Sequence, residues 1–281
     1  MNDGLERIRQ GLTTLKPSER KVAQYILKDP DKILAMPIAQ LSKECEASEA
    51  TIIRMCRSLQ FKGFRELKLS ISASVNQREA QPERYQDIST SASIKEIIEV
   101  VSSNNLQSIE DTLSVLNENS MEAAVTLMEN ARKILVIGVG ASAIVAQDFE
   151  QKCKRINKWC EALTDSHAQL TSAVHLTKED VVLAVSYSGE TKEIVDTIKI
   201  ARQNKASVIS ITSYGNNEVQ GLSNVNLFAS NLEQSIRSGA TASRIAQLNI
   251  VDILFTGLAS KNYQESIGFL DKTRNVIQSR F

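Results

Sequence analysis

With 281 residues, 42% hydrophobic and 23% charged side chains, the chain has the make-up of a soluble globular protein, with room for one large or two ordinary domains. No apolar stretch approaches the roughly 18 to 20 residues of a membrane span, and the N-terminus lacks a charged-then-apolar leader, so a cytoplasmic protein without a membrane partner is expected. The formal net charge is zero, yet residues 1–77 hold thirteen Lys and Arg against nine Asp and Glu, so the basic excess sits at the N-terminal end.

Cys45, Cys56, Cys153 and Cys160 form no C-x-x-C pair, and with His167 and His175 as the two histidines no zinc-site spacing arises. Reduced structural thiols, no metal and no cofactor are expected. No repeat at a solenoid period is present.

In chain order, Leu5, Ile8, Leu12 and Leu15 recur at helical spacing before Lys16-Pro17-Ser18-Glu19 breaks and restarts the pattern. Pro17 suits a first helical turn. Val22, Ala23, Ile26 and Leu27 then make an inward stripe that Asp29-Pro30 ends, and residues 33–36 form a brief third piece. Residues 38–59 read as two helices joined by a tight turn. Ile38, Leu41 and Cys45 give the first an apolar face, Ser48 caps the second, and Ile52, Met55, Cys56 and Leu59 bury its inner side. Glu49, Ala50, Ile53, Arg54 and Arg57 are left outside.

That arrangement is a helix-turn-helix pattern, in which the start of the second helix enters the major groove. Glu49, Ala50 and Arg54 are therefore the candidates for touching bases. Ser48, Thr51 and Arg57, with Lys62, Arg65 and Lys68 just beyond, are better placed for phosphates, which set register without reading sequence. Glu46 occupies a turn position where glycine is common, and Glu49 puts an acid near phosphates. Both features suit the competing reading, an ordinary helical hairpin with a solvated basic face.

Leu15-Lys16-Pro17-Ser18-Glu19-Arg20-Lys21-Val22-Ala23, residues 38–41, Ser48-Glu49-Ala50-Thr51 and Phe61-Lys62-Gly63-Phe64 together resemble the head of the RpiR family of bacterial regulators. That family couples such a head to a SIS (sugar isomerase) domain. The resemblance implies an all-α DNA-binding domain over 1–77. Residues 64–75 continue as a helix, after which a polar stretch with Pro82 and Ser89-Thr90-Ser91-Ala92-Ser93 marks a linker, set at 78–93.

From 94 to 281 a doubly wound α/β domain with a parallel, flavodoxin-like sheet is expected. Residues 94–116 and 121–128 are amphipathic helices. Lys133-Ile134-Leu135-Val136-Ile137 is a strand leading into Gly138-Val139-Gly140-Ala141-Ser142, and further strands follow at 159–162, 181–185, 207–211 and 225–228. A long helical region runs from about 238 to 258. Its residues Ile250, Val251, Ile253, Leu254 and Leu258 serve either a core or a dimer surface.

The run Val181-Val182-Leu183-Ala184-Val185 has no polar face, as in a central strand covered on both sides, and it stops in Ser186-Tyr187-Ser188-Gly189-Glu190-Thr191. Gly189 allows close backbone approach, a helix start offers N–H groups, and Ser186, Ser188 and Thr191 add hydroxyls without charge. An anion would sit well there. Alternatively Ser188 or Thr191 simply caps the next helix. The turn resembles the signature of the SIS domains, which bind phosphosugars. By that resemblance Ser142 lines the sugar pocket, Ser186, Ser188 and Thr191 hold the phosphate, and Tyr187 and Gly189 shape the turn. His167, in Asp165-Ser166-His167-Ala168-Gln169, faces sugar hydroxyls or sits on the surface after a capping Asp165. Glu233 precedes a stretch, 238–248, that resembles the family's segment near ligand and subunit contact.

Gly138-Val139-Gly140-Ala141-Ser142-Ala143 also satisfies the loose dinucleotide pattern, with Glu161 about 20 residues on. A nicotinamide enzyme gains nothing from the second, hydroxyl-rich turn, whereas a phosphosugar site uses both. The expectation is a dimeric or tetrameric transcriptional regulator, a repressor of sugar or amino-sugar genes, that binds an operator in duplex DNA and responds to a phosphosugar without covalent chemistry. Asp165-Ser166-His167 and Ser186-Tyr187-Ser188-Gly189 resemble the branch sensing N-acetylmuramic acid 6-phosphate. The alternative is a phosphosugar isomerase or lyase with an accessory head. It needs a placed general base, for which Glu190, Glu233 and His167 are available.

Overall fold

Apolar spacing near 3.6 residues builds a helical N-terminal part, and short continuous apolar runs buried on both faces build a parallel sheet after it. The computed structural model describes residues 4–12, 14–75, 92–230 and 241–280. It divides into two compact units, residues 1–115 with 214–216 and 230–242, and residues 116–213 with 217–229 and 243–281. Residues 76–91, which hold most of the anticipated linker, lie outside the described residues.

In the first unit the helices are α1 (Gly4–Gly11), α2 (Pro17–Lys28), α3 (Pro30–Ala35), α4 (Ile38–Glu44), α5 (Glu49–Ser58), α6 (Phe64–Val75) and α7 (Ile94–Val115). The first helix stops at Gly11, short of the expected Leu15. Pro17 starts α2, and Asp29 closes it while accepting the Lys32 N–H to cap α3. Leu5, Ile8, Val22, Ile26, Ile33, Leu41, Ile52, Met55, Leu59 and Leu67 form one fully buried core. At its edge the buried Arg7 guanidinium donates to the Leu59 carbonyl at 2.7 Å and lies 3.8 Å over the Phe61 ring, so a charged group is stacked and bonded instead of left bare.

The second unit contains α8 (Glu118–Asn130), β1 (Ile134–Ile137), α9 (Ala141–Arg155), β2 (Cys160–Leu163), α10 (Ser166–Ala173), β3 (Val181–Val185), α11 (Lys192–Gln203), β4 (Ser207–Ser213), α12 (Glu218–Leu222), β5 (Val225–Ala229), most of α13 (Thr241–Lys261), and α14 (Tyr263–Gln278). All strands are parallel in the order β2-β1-β3-β4-β5, with Ile137 opposite Ala184 at the ends of β1 and β3. The second strand begins one residue later than expected, leaving Trp159 70% exposed.

Alternation along the strands divides the core. Ile134, Val136, Val181, Leu183, Ile209 and Leu227 point to the face covered by α8, α9 and α13. Leu135, Ile137, Val182, Ala184 and Val208 point to the face covered by α10, α11 and α12. The helix after β1 thus goes to one face and the helix after β3 to the other. Their strands are neighbours, so the topological switch point, where ligands of such sheets gather, lies between the two turns. Ile250, Val251, Leu254 and Leu258 of α13 are core residues.

Candidate functional site

Two sites follow from these elements, one in each unit. In the first, Ala47 N–H donates to the Ser42 carbonyl and the Ser42 hydroxyl donates to the Ala47 carbonyl, closing the turn between α4 and α5. Glu46 sits there at φ 48°, the left-handed conformation that favours glycine, and its carboxylate pairs with Lys21 at 2.6 Å. Ser48 caps α5 by accepting the Thr51 N–H at 3.2 Å. Glu49, Ala50, Arg54, Arg57 and Lys62 are exposed.

Thr51 corrects the expectation of an open phosphate contact. It is 6% exposed, and its hydroxyl lies 2.9 Å from that of Ser48 while accepting the Arg54 Nη2–H at 2.9 Å. Its position on the inner edge of α5 turns the hydroxyl toward neighbouring side chains. Lys68 donates to the Met36 carbonyl at 3.3 Å, which ties it to the head instead of leaving it fully extended.

In the second unit, Gly140 turns the chain into α9 at φ 58°, with no side-chain cap, and Ser142 is 9% exposed in the first turn of that helix. A β-carbon at Gly138 would lie 2.7 Å from the Ser142 carbonyl, so glycine is what lets the strand and helix meet this closely. The Gln169 amide, fully buried, donates to the Gly138 and Leu163 carbonyls at 3.2 and 2.8 Å, joining the ends of β1 and β2. Asp165 accepts the Ala168 N–H at 3.0 Å, and His167 is exposed two residues before Gln169, which matches the capping reading of that stretch.

The turn after β3 is braced from beneath. Gly189, at φ 68°, donates its N–H to the Ser186 carbonyl and accepts the Val219 N–H at 3.0 Å. Tyr187 accepts the Ser213 N–H at 2.8 Å, and the Glu190 carboxylate accepts the Glu218 N–H at 3.0 Å. Asn217 caps α12 while its amide donates to the Thr212 hydroxyl at 3.3 Å. Sequence reasoning missed Asn217 and Glu218. The turn-and-cap signal at Asn216-Asn217-Glu218 could have found a helix start there, but not what it holds.

Ser186 is 2% exposed and donates its hydroxyl to Thr191 at 3.2 Å, so the structure places it under the turn, where it orients Thr191. Ser188 is on the surface, accepting the Glu190 N–H at 3.2 Å, and Tyr187 is half-buried. Thr191 is the N-cap residue of α11 but makes no side-chain cap bond, which removes the simple capping alternative for it. The helix does not depend on one. Ile194, Val195 and Ile198 are buried, each stabilising by roughly 1.5 to 3 kcal/mol, against about 1 kcal/mol for a cap.

Glu161 stands opposite Leu135, two residues before the end of β2, away from the strand ends where a ribose contact would be. Of the bases an isomerase would need, Glu190 is engaged with Glu218, His167 is exposed, and Glu233 lies outside the described residues. No group of three His, Cys, Asp or Glu that could hold a metal ion occurs among the described residues, and no helix among them is long and apolar enough to cross a membrane.

Residues 2–78 match the model of the helix-turn-helix domain of the rpiR family, and residues 127–257 match that of the SIS domain. An uncharacterized HTH-type transcriptional regulator of Caldanaerobacter subterraneus subsp. tengcongensis is 42% identical, covering 100% of this chain and 99% of its own. The chain belongs to the RpiR family. A second relative, the uncharacterized HTH-type transcriptional regulator YbbH of Bacillus subtilis, is 39% identical over 98% of this chain and 97% of its own. Among solved structures, the Vibrio vulnificus NanR protein complexed with ManNAc-6P is 27% identical, with a TM-score of 0.62 over 99% of each chain. This RpiR-family chain is thus a transcriptional regulator whose helical head is a DNA-binding module and whose α/β domain is a sugar-phosphate-binding SIS domain.

Proposed function

We propose that the protein is a repressor of sugar or amino-sugar genes whose grip on its operator is set by an amino-sugar 6-phosphate, N-acetylmuramic acid 6-phosphate or a close analogue. The observation that carries this reading is the pair of turns flanking the switch point. Each leads into a helix without a side-chain cap, and one displays the Ser188 and Thr191 hydroxyls. Backbone N–H groups and hydroxyls bind a phosphoryl group there, while Ser142, His167 and Glu233 face the sugar, and Ser186, Tyr187 and Gly189 keep the turn in shape. The NanR complex with ManNAc-6P supports the amino-sugar class.

In the head, Arg54 reads a guanine edge with Glu49 and Ala50 beside it, and Ser48, Arg57 and Lys62 hold the backbone. Two heads are needed for half-sites about 34 Å apart, so the working form is a homodimer or a pair of dimers, acting in the cytoplasm where its DNA is. The effector acts by preferring one arrangement of the heads over another, with no bond made or broken.

A melting screen against a panel of sugar phosphates, followed by gel shifts with the hits, tests the reading. An amino-sugar 6-phosphate should raise the melting temperature and alter the shift without being consumed. Turnover of any panel member would replace the repressor with an enzyme.

A further inference from the structure

We infer that Glu19, far from the recognition helix in sequence, is a positioning residue for base reading: its carboxylate and the Thr51 hydroxyl together aim the Arg54 guanidinium. The inference rests on the assignment of α5 as the helix that enters the groove. Glu19 lies in the first turn of α2 and is 4% exposed. A carboxylate so shielded from water is costly unless partnered. Its Oε2 accepts the Lys16 N–H at 3.4 Å, and its Oε1 lies 4.0 Å from Arg54 Nε, the cation at ion-pair distance among the described residues.

Arg54 is held at two points. Nε faces Glu19, and Nη2 donates to Thr51, itself nearly buried. Of the five guanidinium N–H groups, the two on Nη1 and the second on Nη2 remain. Those are the end-on fork that matches O6 and N7 of guanine. The Arg54 side chain is 60% exposed, so the fork is presented while its stem is restrained, and less rotamer freedom is lost on meeting a base. Without Glu19 the same arginine would sweep across neighbouring phosphates and bases, keeping attraction and losing selectivity.

The test uses the full-length protein and duplexes chosen by selection from a randomised pool, then varied one base pair at a time. Arg54→Ala identifies the base pair that Arg54 reads. Glu19→Gln retains an acceptor for Lys16 N–H, so α2 keeps its cap, and should lower discrimination at that same base pair about fivefold, the low end of what a bidentate contact supplies. The dependence of affinity on salt, which counts phosphate contacts, should keep its slope. In an Arg54→Ala background the Glu19→Gln change should do nothing further. Thr51→Val, measured in parallel, should affect the same base pair and keeps the test open if Glu19→Gln folds poorly.

Unaltered discrimination in both Glu19→Gln and Thr51→Val, uniform weakening across all base pairs, or an effect that persists without Arg54 overturns the inference alone. Unchanged base preference in Arg54→Ala overturns the groove assignment as well.

Discussion

The amide of Asn217 packs where a β-carbon on Gly189 would stand, with its Cγ 2.1 Å from that position. Gly189 is also at φ 68°, so an added methyl meets both a steric wall and an unfavourable backbone conformation. Gly189→Ala should destabilise the protein by about 1 to 3 kcal/mol and distort the turn. Urea unfolding should show the loss, and melting with sugar phosphates should show no ligand-induced rise. A variant of native stability that still responds would free the turn from this constraint.

Ser188 and Thr191 carry the surface hydroxyls of the same turn, and neither is part of the core. Ser188→Ala combined with Thr191→Ala should abolish the influence of the effector on DNA binding while leaving DNA affinity itself intact. Gel shifts with and without the sugar phosphate measure both. Should the melting rise survive the double change, the phosphate is held elsewhere.

Asp180, just before β3, receives the Arg132 fork at 2.9 and 2.7 Å and the Thr177 N–H and hydroxyl at 2.8 and 3.0 Å. Burial works against its charge, but these bonds outweigh it and hold the carboxyl below its ordinary 3.8. A depressed folded value contributes stability above the unfolded value, and that contribution is lost as pH falls through the folded one. Asp180→Asn should therefore cost about 1 to 3 kcal/mol at neutral pH, with the difference from the native chain shrinking below 3.8. Equal differences at pH 7 and pH 3 would remove Asp180 from the acid response.

All four cysteines are buried. Burial raises the Cys45 thiol and pushes Cys56 up to about 12, while a hydrogen bond with Cys153, and then burial, raises Cys160. Thiolate is the reactive form. At pH 8 the native protein should leave a thiol reagent unconsumed, and urea should release all four groups. Prompt reaction of one thiol in the native state would show a local opening at that residue.

The two architectures were legible where burial leaves a period in the sequence. Ile52, Met55 and Leu59 mark the inner face of α5, and the unbroken Val181-to-Val185 run marks a strand covered on both sides. The last helix, α14, left no such mark, because Ser266 is its buried residue and its apolar side chains Tyr263, Val276 and Ile277 are exposed. At the sites, residue type revealed hydroxyls but not their depth. Ser186 and Ser188 look alike in the sequence, yet one lies beneath the turn and the other on it. Contacts such as Glu190 with Glu218, or Arg54 with Glu19, join segments about 30 residues apart, and nothing local in either segment announces the other.

The departure of α9 and α11 to opposite faces has a mechanical corollary. A small solute spanning both turns would be held by two layers whose cores have no side chain in common, one built on α8, α9 and α13 and the other on α10, α11 and α12. Any sliding of one layer over the sheet relative to the other would change the gap between the turns without breaking a strand pairing. A tight-fitting solute would fix such a slide and make its occupancy readable on the outer surfaces of helices that never touch it.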